Sequence, residues 1–318
     1  MRNAVLITAL VAAGHCVAAE PYPVRPVQVI VPYGTGGATD IAARIMAQQL
    51  GEQTGKPFLV ENRPGASGTV GAAYVAKSAA NGYVLGVADP SWTTVPGMYK
   101  SLSYDLLRDF TPIVQLVRVP NAMVVRAPGH ATLKDFIASA RQNPGKFNFA
   151  SSGPGGINHL APELFNKAAG VRIVHVAYKS GGETLTALLG DQVQMVIAPV
   201  LSVLPLVQSG KLRALAVTTD GKRVPVLPDV PSMAEVGVTD MDVYYWNGLV
   251  GPAAMPGEVV RLLNAESVKA LRTPSVAEKF ITQSAEIMGT SPESFSNHLR
   301  SELRRWTEVI KSAGITAE

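Results

Sequence analysis

The sequence is poor in two features that mark common protein classes. It contains a single cysteine, Cys16, which excludes an intrachain disulfide and a zinc site built from thiolates. Only 16% of residues are charged, with 28 Lys and Arg against 24 Asp and Glu and no long basic run, which argues against nucleic acid as a partner. The 318 residues are nonetheless 47% hydrophobic, so the chain can bury the cores of about two domains and is neither disordered nor fibrous.

Motifs of common enzymes and cofactor sites are also missing. No Walker A sequence occurs, and the loop Gly34–Thr39 departs from the dinucleotide pattern G-x-G-x-x-G at its last position. Neither glycine loop that carries a serine reads G-x-S-x-G. The histidines beyond residue 19 lack metal-ligand spacing; they are His130, His159, His175 and His298. We therefore expect no catalysis, no metal and no cofactor.

The first 19 residues are typical of a secretory signal peptide. Arg2 precedes ten apolar residues, 4–13, and the segment ends in small residues at Ala18 and Ala19. A run of ten is too short for a transmembrane helix, which needs about 20 residues; the alternative is a buried N-terminal helix or strand. We predict cleavage after Ala19 rather than acylation of Cys16, because His15 stands where a lipoprotein needs a small residue. The exported chain would be periplasmic, cysteine-free and without stable membrane insertion.

Beyond the signal peptide, short β-rich runs alternate with helical patterns, which predicts an α/β fold with mainly parallel sheets. The predicted strands are 27–31, 58–61, 83–88, 123–126, 147–151, 173–178, 194–198 and 213–218. The predicted helices are 39–50, a segment ending near 78, 133–142, 158–169, 183–190 and 201–209. From Gly257 onward we expect a mostly helical tail.

Two of these units are internal copies. Gly34, Gly36, Gly37 and Gly51 recur as Gly153, Gly155, Gly156 and Gly170, each 119 residues later. Both units read as a strand, a G-x-G-G loop, a helix and a terminal glycine; chance similarity between glycine-rich turns is the alternative. The first turn of a helix leaves N–H groups unpaired and carries about half a positive charge. Such starts can bind a carboxylate, sulfate or phosphate without a basic side chain, so the repeat predicts two anion-binding loops facing one cleft.

Several longer strings resemble the Bug family, the substrate-binding proteins of tripartite tricarboxylate transporters. The matching strings run almost from the signal peptide to the C-terminal region: 31–40 (VPYGTGGATD), 61–68 (ENRPGASG), 104–105, 109–112, 150–153 with 159–160, 176–179, 210–218 and 227–232. The strings Glu61–Ala66 and Leu227–Pro231 are specific, and their order makes coincidence a poor explanation.

The resemblance implies a two-lobed, periplasmic binding protein type II-like fold, each lobe a mainly parallel sheet flanked by helices. Lobe 1 would comprise residues 20–119 plus 245–318, and lobe 2 residues 120–244. It also implies capture of a small carboxylate in the cleft and delivery to separate membrane transporter subunits, by a protein that we expect to be a monomer. The ligand-binding residues predicted from the repeat and the resemblance are Tyr33, Gly34, Thr35, Gly36, Gly37, Thr39, Asp40, Ser67, Ser91, Trp92, Ser151, Ser152, Gly153, His159, Tyr178 and Trp246.

Two of these residues have a plainer interpretation, Asp40 as part of a helix cap and His159 as a helix-start histidine. The ligand class stays open. Relatives often carry an acidic residue near position 198, and Ala198 here argues against an amino-acid ligand. The aromatic residues Tyr33, Trp92, Tyr178, Tyr244, Tyr245 and Trp246 would suit an aromatic or hydrophobic carboxylate, and a dicarboxylate is the other possibility. An exported hydrolase and a ligand sensor for a signalling partner are the alternative functions.

Overall fold

The structure is a computed structural model that describes residues 22–99, 101–219, 221–282 and 284–315. The predicted signal peptide and Cys16 lie outside these residues. The strands are β1 Val27–Val31, β2 Phe58–Asn62, β3 Val84–Ala88, β4 Phe110–Arg126, β5 Asn148–Ser151, β6 Val174–Ala177, β7 Val196–Pro199, β8 Leu212–Val217, β9 Tyr244–Pro252 and β10 Glu286–Ile287. The helices are α1 Ala38–Thr54, α2 Thr69–Ala76, α3 Ser91–Thr94, α4 Leu133–Gln142, α5 Ile157–Ala169, α6 Gly181–Leu189, α7 Val200–Gln208, α8 Gly257–Arg272, α9 Pro274–Ile281 and α10 Pro292–Ala313.

The main sheet is mixed, which corrects the prediction of mainly parallel sheets. Its strands lie in the order β10-β4-β9-β3-β1-β2, and β1 pairs in parallel with both β2 and β3. The long strands β4 and β9 pair with each other and with β3, β7 and β8 in antiparallel fashion. The expected α/β units are present, but these two long strands join them.

Strand β4 connects the two halves of the molecule. Its first part, up to Pro120, pairs with β9, whereas Asn121 to Arg126 pairs with β7 and β8. Irregular registers accompany the pairing near Pro112 and near Gln115. In the second half, β5 pairs in parallel with β6, and Phe149 bridges in parallel to Met195 just before β7.

Helix α1 illustrates how the apolar pattern positions the elements. Ala42, Met46 and Leu50 recur every four residues and are buried on one helical face against the sheet. The helix continues past Gly51, which was expected to end it, and stops at Gly55, whose φ of 68° suits a left-handed cap. In the second copy Gly170 does end its helix, with φ at 60°.

The C-terminal region from Gly257 is mostly helical, as predicted. Helix α10 begins with Ser291, whose hydroxyl accepts from the Ser294 N–H, and ends at Gly314 with a φ of 64°. Its Phe295 and Leu299 pack in an apolar cluster with Trp92 and Trp246. In the part of the chain that the structure describes, no helix combines the length and the apolar character needed to cross a bilayer.

Candidate functional site: a cavity at four helix starts

A cavity lies where four helices begin. Its wall includes Gly37–Thr39 at the start of α1, Gly156–Asn158 at the start of α5, Gly181 with Thr184 and Leu185 on α6, and Ala198, Pro199 and Ser202 around the start of α7. Tyr33, Asp89, Ser91, Ser152 and Tyr245 complete the lining. The cavity volume is about 60 Å³, well below the roughly 300–1,000 Å³ of pockets for drug-sized ligands, so the cavity suits a small molecule rather than a nucleotide.

The helix starts give the cavity a positive potential without basic side chains. Gly37 and Gly156 are the N-cap residues of α1 and α5, and glycine has no side chain to accept from the first-turn N–H groups. Each helix start also carries about half a positive charge. Among the described residues that line the cavity, none is Lys or Arg. An anionic group is therefore the ligand chemistry that this wall favours.

The two glycine loops share their backbone conformation at the second glycine of each loop. Gly36 and Gly155 both have φ of 83°, a left-handed conformation that glycine adopts without strain. The Gly36 N–H donates to the Asp40 carboxylate at 3.1 Å, and the Gly155 N–H donates to His159 Nδ1 at 3.0 Å. Asp40 and His159 are not part of the cavity lining; each holds its loop in place from the first turn of the following helix. This is close to the roles of helix cap for Asp40 and helix-start histidine for His159.

Other predicted residues lie beside the cavity rather than in it. Ser67, Gly153 and Tyr178 line an adjoining groove, which shares Tyr33 and Ser152 with the cavity. The hydroxyl of Ser151 lies 2.6 Å from His175 Nε2 and accepts from the Gly153 N–H at 3.1 Å, so it supports the second loop from below. Gly34, Thr35 and Gly36 form the outer part of the first loop; Gly34 approaches Ser180 closely.

The two predicted tryptophans lie in the core. Trp92 is 2% and Trp246 1% exposed, and both belong to the apolar cluster behind the sheet. Their chain neighbours Ser91 and Tyr245 line the cavity instead. Successive side chains of a strand point to opposite faces, so choosing Trp246 over Tyr245 selected the wrong face. Of the predicted residues, the structure brings five together in the lining: Tyr33, Gly37, Thr39, Ser91 and Ser152.

Asp89 is the acidic lining residue that the sequence reasoning missed. It is 3% exposed and follows β3, beside Ser91, which the prediction did include. The carboxyl ends of β1 and β3, which are parallel neighbours, meet at the same edge of the sheet, and this rule could have indicated Asp89 together with Tyr33. Ala198 also lines the cavity, so the position at which relatives often carry an acidic residue does face the ligand space here. The cavity thus has an acidic residue, but from the opposite wall.

The two walls of the cleft are in direct contact. The Ser67 hydroxyl donates to the Pro154 carbonyl, and the Thr94 hydroxyl donates to the Gly155 carbonyl. A Cβ placed on Gly34 would lie 3.2 Å from Ser180 Cβ, so the first loop and the start of α6 also touch. These contacts join the two walls beside the cavity, and the structure corresponds to a closed form.

Comparison with known proteins identifies the fold and the family. Residues 42–315 match the tripartite tricarboxylate transporter family receptor. The chain belongs to this receptor family. It is 34% identical to Protein BugT of Bordetella pertussis over 301 residues, 94% of this chain and 92% of BugT.

Solved structures of similar receptors superpose over nearly the whole chain. The periplasmic binding protein BugD has a TM-score of 0.90 and 32% identity, with 93% of this chain and 100% of BugD covered. R. palustris Rpa4515, solved with adipate, has a TM-score of 0.89 and 36% identity over 93% of this chain and 99% of its own. MatC from Rhodopseudomonas palustris, solved with malate, has a TM-score of 0.87 and 29% identity over 91% and 100%.

These findings confirm the two-lobed periplasmic binding protein fold, apart from the strand directions corrected above. This receptor is a solute-binding protein of a tripartite tricarboxylate-type transporter and not an enzyme. Members of its family work in the periplasm with membrane transporter subunits.

Proposed function

We propose that this receptor captures a small carboxylate in the cavity at the four helix starts. The observation that carries the proposal is the convergence of α1, α5, α6 and α7 on a cavity lined by neither Lys nor Arg among its described residues. Each hydrogen bond from a backbone N–H to a charged group contributes about 1.5–3 kcal/mol, so a few can support micromolar affinity. Adipate in Rpa4515 and malate in MatC, both small dicarboxylates, are consistent with this ligand class.

The remainder of the cavity wall suits the hydrocarbon part of such an acid. Ala38, Ile157, Leu185, Ala198 and Pro199 supply apolar surface between the helix starts. The small volume favours a short aliphatic chain. The aromatic hypothesis now rests on Tyr33 and Tyr245, because the two tryptophans are buried elsewhere.

Calorimetric titration of the purified receptor tests this function. The panel comprises succinate, malate, adipate, citrate and phenylacetate, with succinamide and adipamide as neutral controls of the same shape. We expect at least one acid to bind with a Kd of about 1–100 µM and its diamide to bind at least 100-fold more weakly. If no acid binds at millimolar concentration to folded protein, or if the amides bind equally well, the proposal is wrong.

Two further assignments complete the proposal. Residues 20–119 plus 245–318 form one lobe and residues 120–244 the other; the change of partners along β4 at Pro120 and Asn121 supports this division. The signal peptide is cleaved after Ala19. N-terminal sequencing of the exported protein should begin at Glu20, and any other start would move the cleavage site.

A further inference from the structure

A buried carboxyl group stands in a cavity that otherwise favours anions. Asp89 is 3% exposed and forms part of the lining. Among the described residues that line the cavity, Asp89 alone is acidic, and none is Lys, Arg or His. A carboxylate ligand placed directly against it would meet a like charge or compete for the same donors. Its presence therefore restricts what the ligand can place at this end of the cavity.

Five donors surround the two oxygens of Asp89. Oδ1 accepts from the Tyr33 hydroxyl at 3.2 Å and from both the backbone N–H and the hydroxyl of Ser91. Oδ2 accepts from the Tyr245 hydroxyl at 3.1 Å and from Thr39 Oγ1 at 3.5 Å. Burial raises the pKa of Asp89, and the hydrogen bonds from Ser91, Tyr245 and Tyr33 act in the opposite direction. Donors arranged in this way fit a group that accepts on both oxygens.

This arrangement fixes the direction of the surrounding hydroxyl groups. A hydroxyl has one hydrogen, so a Tyr33, Ser91 or Tyr245 hydroxyl that donates to Asp89 can offer a ligand only its lone pairs. Burial and the nearby Asp89 carboxyl raise the pKa of both tyrosines, which keeps their protons in place. The Tyr33 and Ser91 hydroxyls also contact each other, as do those of Thr39 and Tyr245, so these four hydroxyls use their protons among themselves and on Asp89. We name Tyr33, Thr39, Asp89, Ser91 and Tyr245 the acceptor wall.

The opposite side of the cavity has the reverse character. The starts of α5, α6 and α7 present backbone N–H groups and positive dipole ends. A ligand that fills the cavity thus meets the N–H groups of these three helix starts on one side, and on the other the acceptor wall together with the start of α1. An acid with a plain hydrocarbon tail would offer no donor to the remaining lone pairs of the acceptor wall, and buried acceptors that lack a donor cost binding energy.

We propose that Asp89 makes this receptor selective for carboxylates that carry a second, hydrogen-donating group, a hydroxyl or an ammonium, directed at the acceptor wall. The inference rests on the proposed function and adds the substrate class to it. It also revises the expectation drawn from Ala198, because an acidic residue reaches the cavity from the other wall and can accept from an amino group.

Matched acids that differ in one group provide the test. Succinate, malate and aspartate share a four-carbon skeleton and carry H, OH or NH₃⁺; propionate, lactate and alanine form a second series, and phenylacetate, mandelate and phenylglycine a third. In each series that binds, calorimetry should show the best donor-bearing member at least about tenfold tighter than the unsubstituted acid, about 1.4 kcal/mol. The preferred member, hydroxyl or ammonium, identifies the donor. Equal or tighter binding of the unsubstituted acid would overturn the proposal.

The variant Asp89→Asn tests the residue itself. Its amide can donate, which releases one hydroxyl of the acceptor wall, so the preference should fall to less than about threefold. Asp191→Asn is the matched control. Asp191 does not line the cavity; it forms an ion pair with Arg126 at 2.9 Å, and its φ of 58° suits asparagine. The control should keep the wild-type preference.

A second variant covers the case in which Asp89→Asn does not fold. Tyr245→Phe keeps the ring and removes one hydroxyl of the acceptor wall, so the preference should fall by about threefold with the ring packing retained. A preference that neither variant alters would refute the role of Asp89 while leaving carboxylate capture intact. If no acid of any series binds wild-type protein, the proposed function fails and the selectivity with it.

Discussion

Each of the two glycine loops is held by a side chain from the helix that follows it, and the two side chains differ in charge. Asp40 in the first loop and His159 in the second occupy equivalent positions, and each accepts from the N–H of the glycine four residues earlier. Four residues further on, Asp40 meets Arg44 at 2.9 Å, whereas His159 meets Glu163 at 3.8 Å. Every one of these positions is 119 residues from its counterpart. The sequence pattern Gly-x-x-x-acceptor therefore persists, while the acceptor changes from the Asp40 carboxylate to an imidazole and the residue four positions further on changes from Arg44 to Glu163.

This difference shows which requirement is structural and which is free to vary. The loop needs an acceptor for the N–H of a left-handed glycine, and a carboxylate or an imidazole nitrogen both meet that need. Although burial opposes it, hydrogen bonds from Arg44, Asn62 and the Gly36 N–H hold the pKa of Asp40 below its usual value. Burial, with a smaller contribution from His175, lowers the pKa of His159 to about 3, so this imidazole is neutral at pH 7.

A bulky side chain that projects from a loop into the cavity should have the largest effect, a loss of ligand affinity. Ser152 on the second loop lines the cavity, whereas Thr35 lies exposed on the outer part of the first loop. Ser152→Leu should therefore weaken binding at least about 100-fold, and Thr35→Leu less than about threefold, although the sequence alone predicted a loss for both. Titration of each variant with the tightest acid of the panel measures this, with the melting temperature as a folding control. Equal losses would mean that the loops contribute symmetrically.

Removing the acceptor of the first loop should cost stability. Asp40→Ala leaves the Gly36 N–H and the Asn62 amide without their partner and should lower the free energy of unfolding by about 2 kcal/mol. Arg44→Ala should cost less than about 1 kcal/mol, because the Arg44 side chain is 51% exposed. Urea denaturation compares the two. A larger loss in Arg44→Ala would assign the stabilisation to the ion pair instead.

Acid should weaken the second loop before the first. His159 and His175 stack with ring centroids 3.9 Å apart, and burial lowers their pKa values to about 3 and about 4. The unfolded chain takes up these protons near pH 6.5 and the folded chain does not, so stability should decline as the pH falls from 6.5 toward 4. Asp40, with its lowered pKa, contributes stability that is lost only below its usual pKa of about 3.8.

His159→Asn separates the two loops in this pH range. Asparagine keeps an acceptor oxygen near the position of Nδ1 and does not titrate, so the unfolding free energy of this variant should vary less between pH 6.5 and 4 than that of the wild type. Urea denaturation at several pH values gives both slopes. An unchanged slope would place the acid sensitivity outside this histidine.

The smallest effects should come from the glycines that end the two repeats, and they should have opposite signs. Gly51 lies inside α1, where a Cβ would meet ordinary contacts, so Gly51→Ala should stabilise the protein by about 0.5–1 kcal/mol. Gly170 caps α5 with a φ of 60°, so Gly170→Ala should destabilise it by about 1 kcal/mol. Thermal unfolding of both variants checks the signs. A loss in Gly51→Ala would indicate that its environment lacks room for a methyl group.

The sequence predicted the bounds of single helices and strands better than the pairing of distant strands. Helix α4 and strand β1 have the predicted bounds, because apolar period and flanking turns determine them. By contrast, β4 was predicted only at 123–126, since Pro112 and Pro120 indicate breaks in a strand. The prolines are tolerated where the β4–β9 register shifts or the partner strand changes, and such long-range pairing has no local signal.

The site shows the same division. The glycine repeat indicated both loops, and Tyr33, Gly37 and Ser152 line the cavity that they frame. The positions of Asp89 and Tyr245 depend on which strand ends meet and on which face of the sheet each side chain lies. A shift of one residue therefore placed Trp246, a core residue, among the predicted site residues in place of Tyr245. Lining residues on α6 and α7, such as Thr184 and Ser202, could not be assigned from the sequence. Their place at the cavity depends on how β4 passes from one half of the molecule to the other, which has no local signal.

The closing contacts described above use main-chain acceptors on the second loop. Ser67 and Thr94 donate to the carbonyl oxygens of residues 154 and 155, which every amino acid supplies. Substitutions that reshape the cavity can therefore accumulate without removing these contacts. Ligand preference can diverge during evolution while the closed shape offered to the transporter is preserved, which fits a family whose similarly folded members were solved with adipate and with malate.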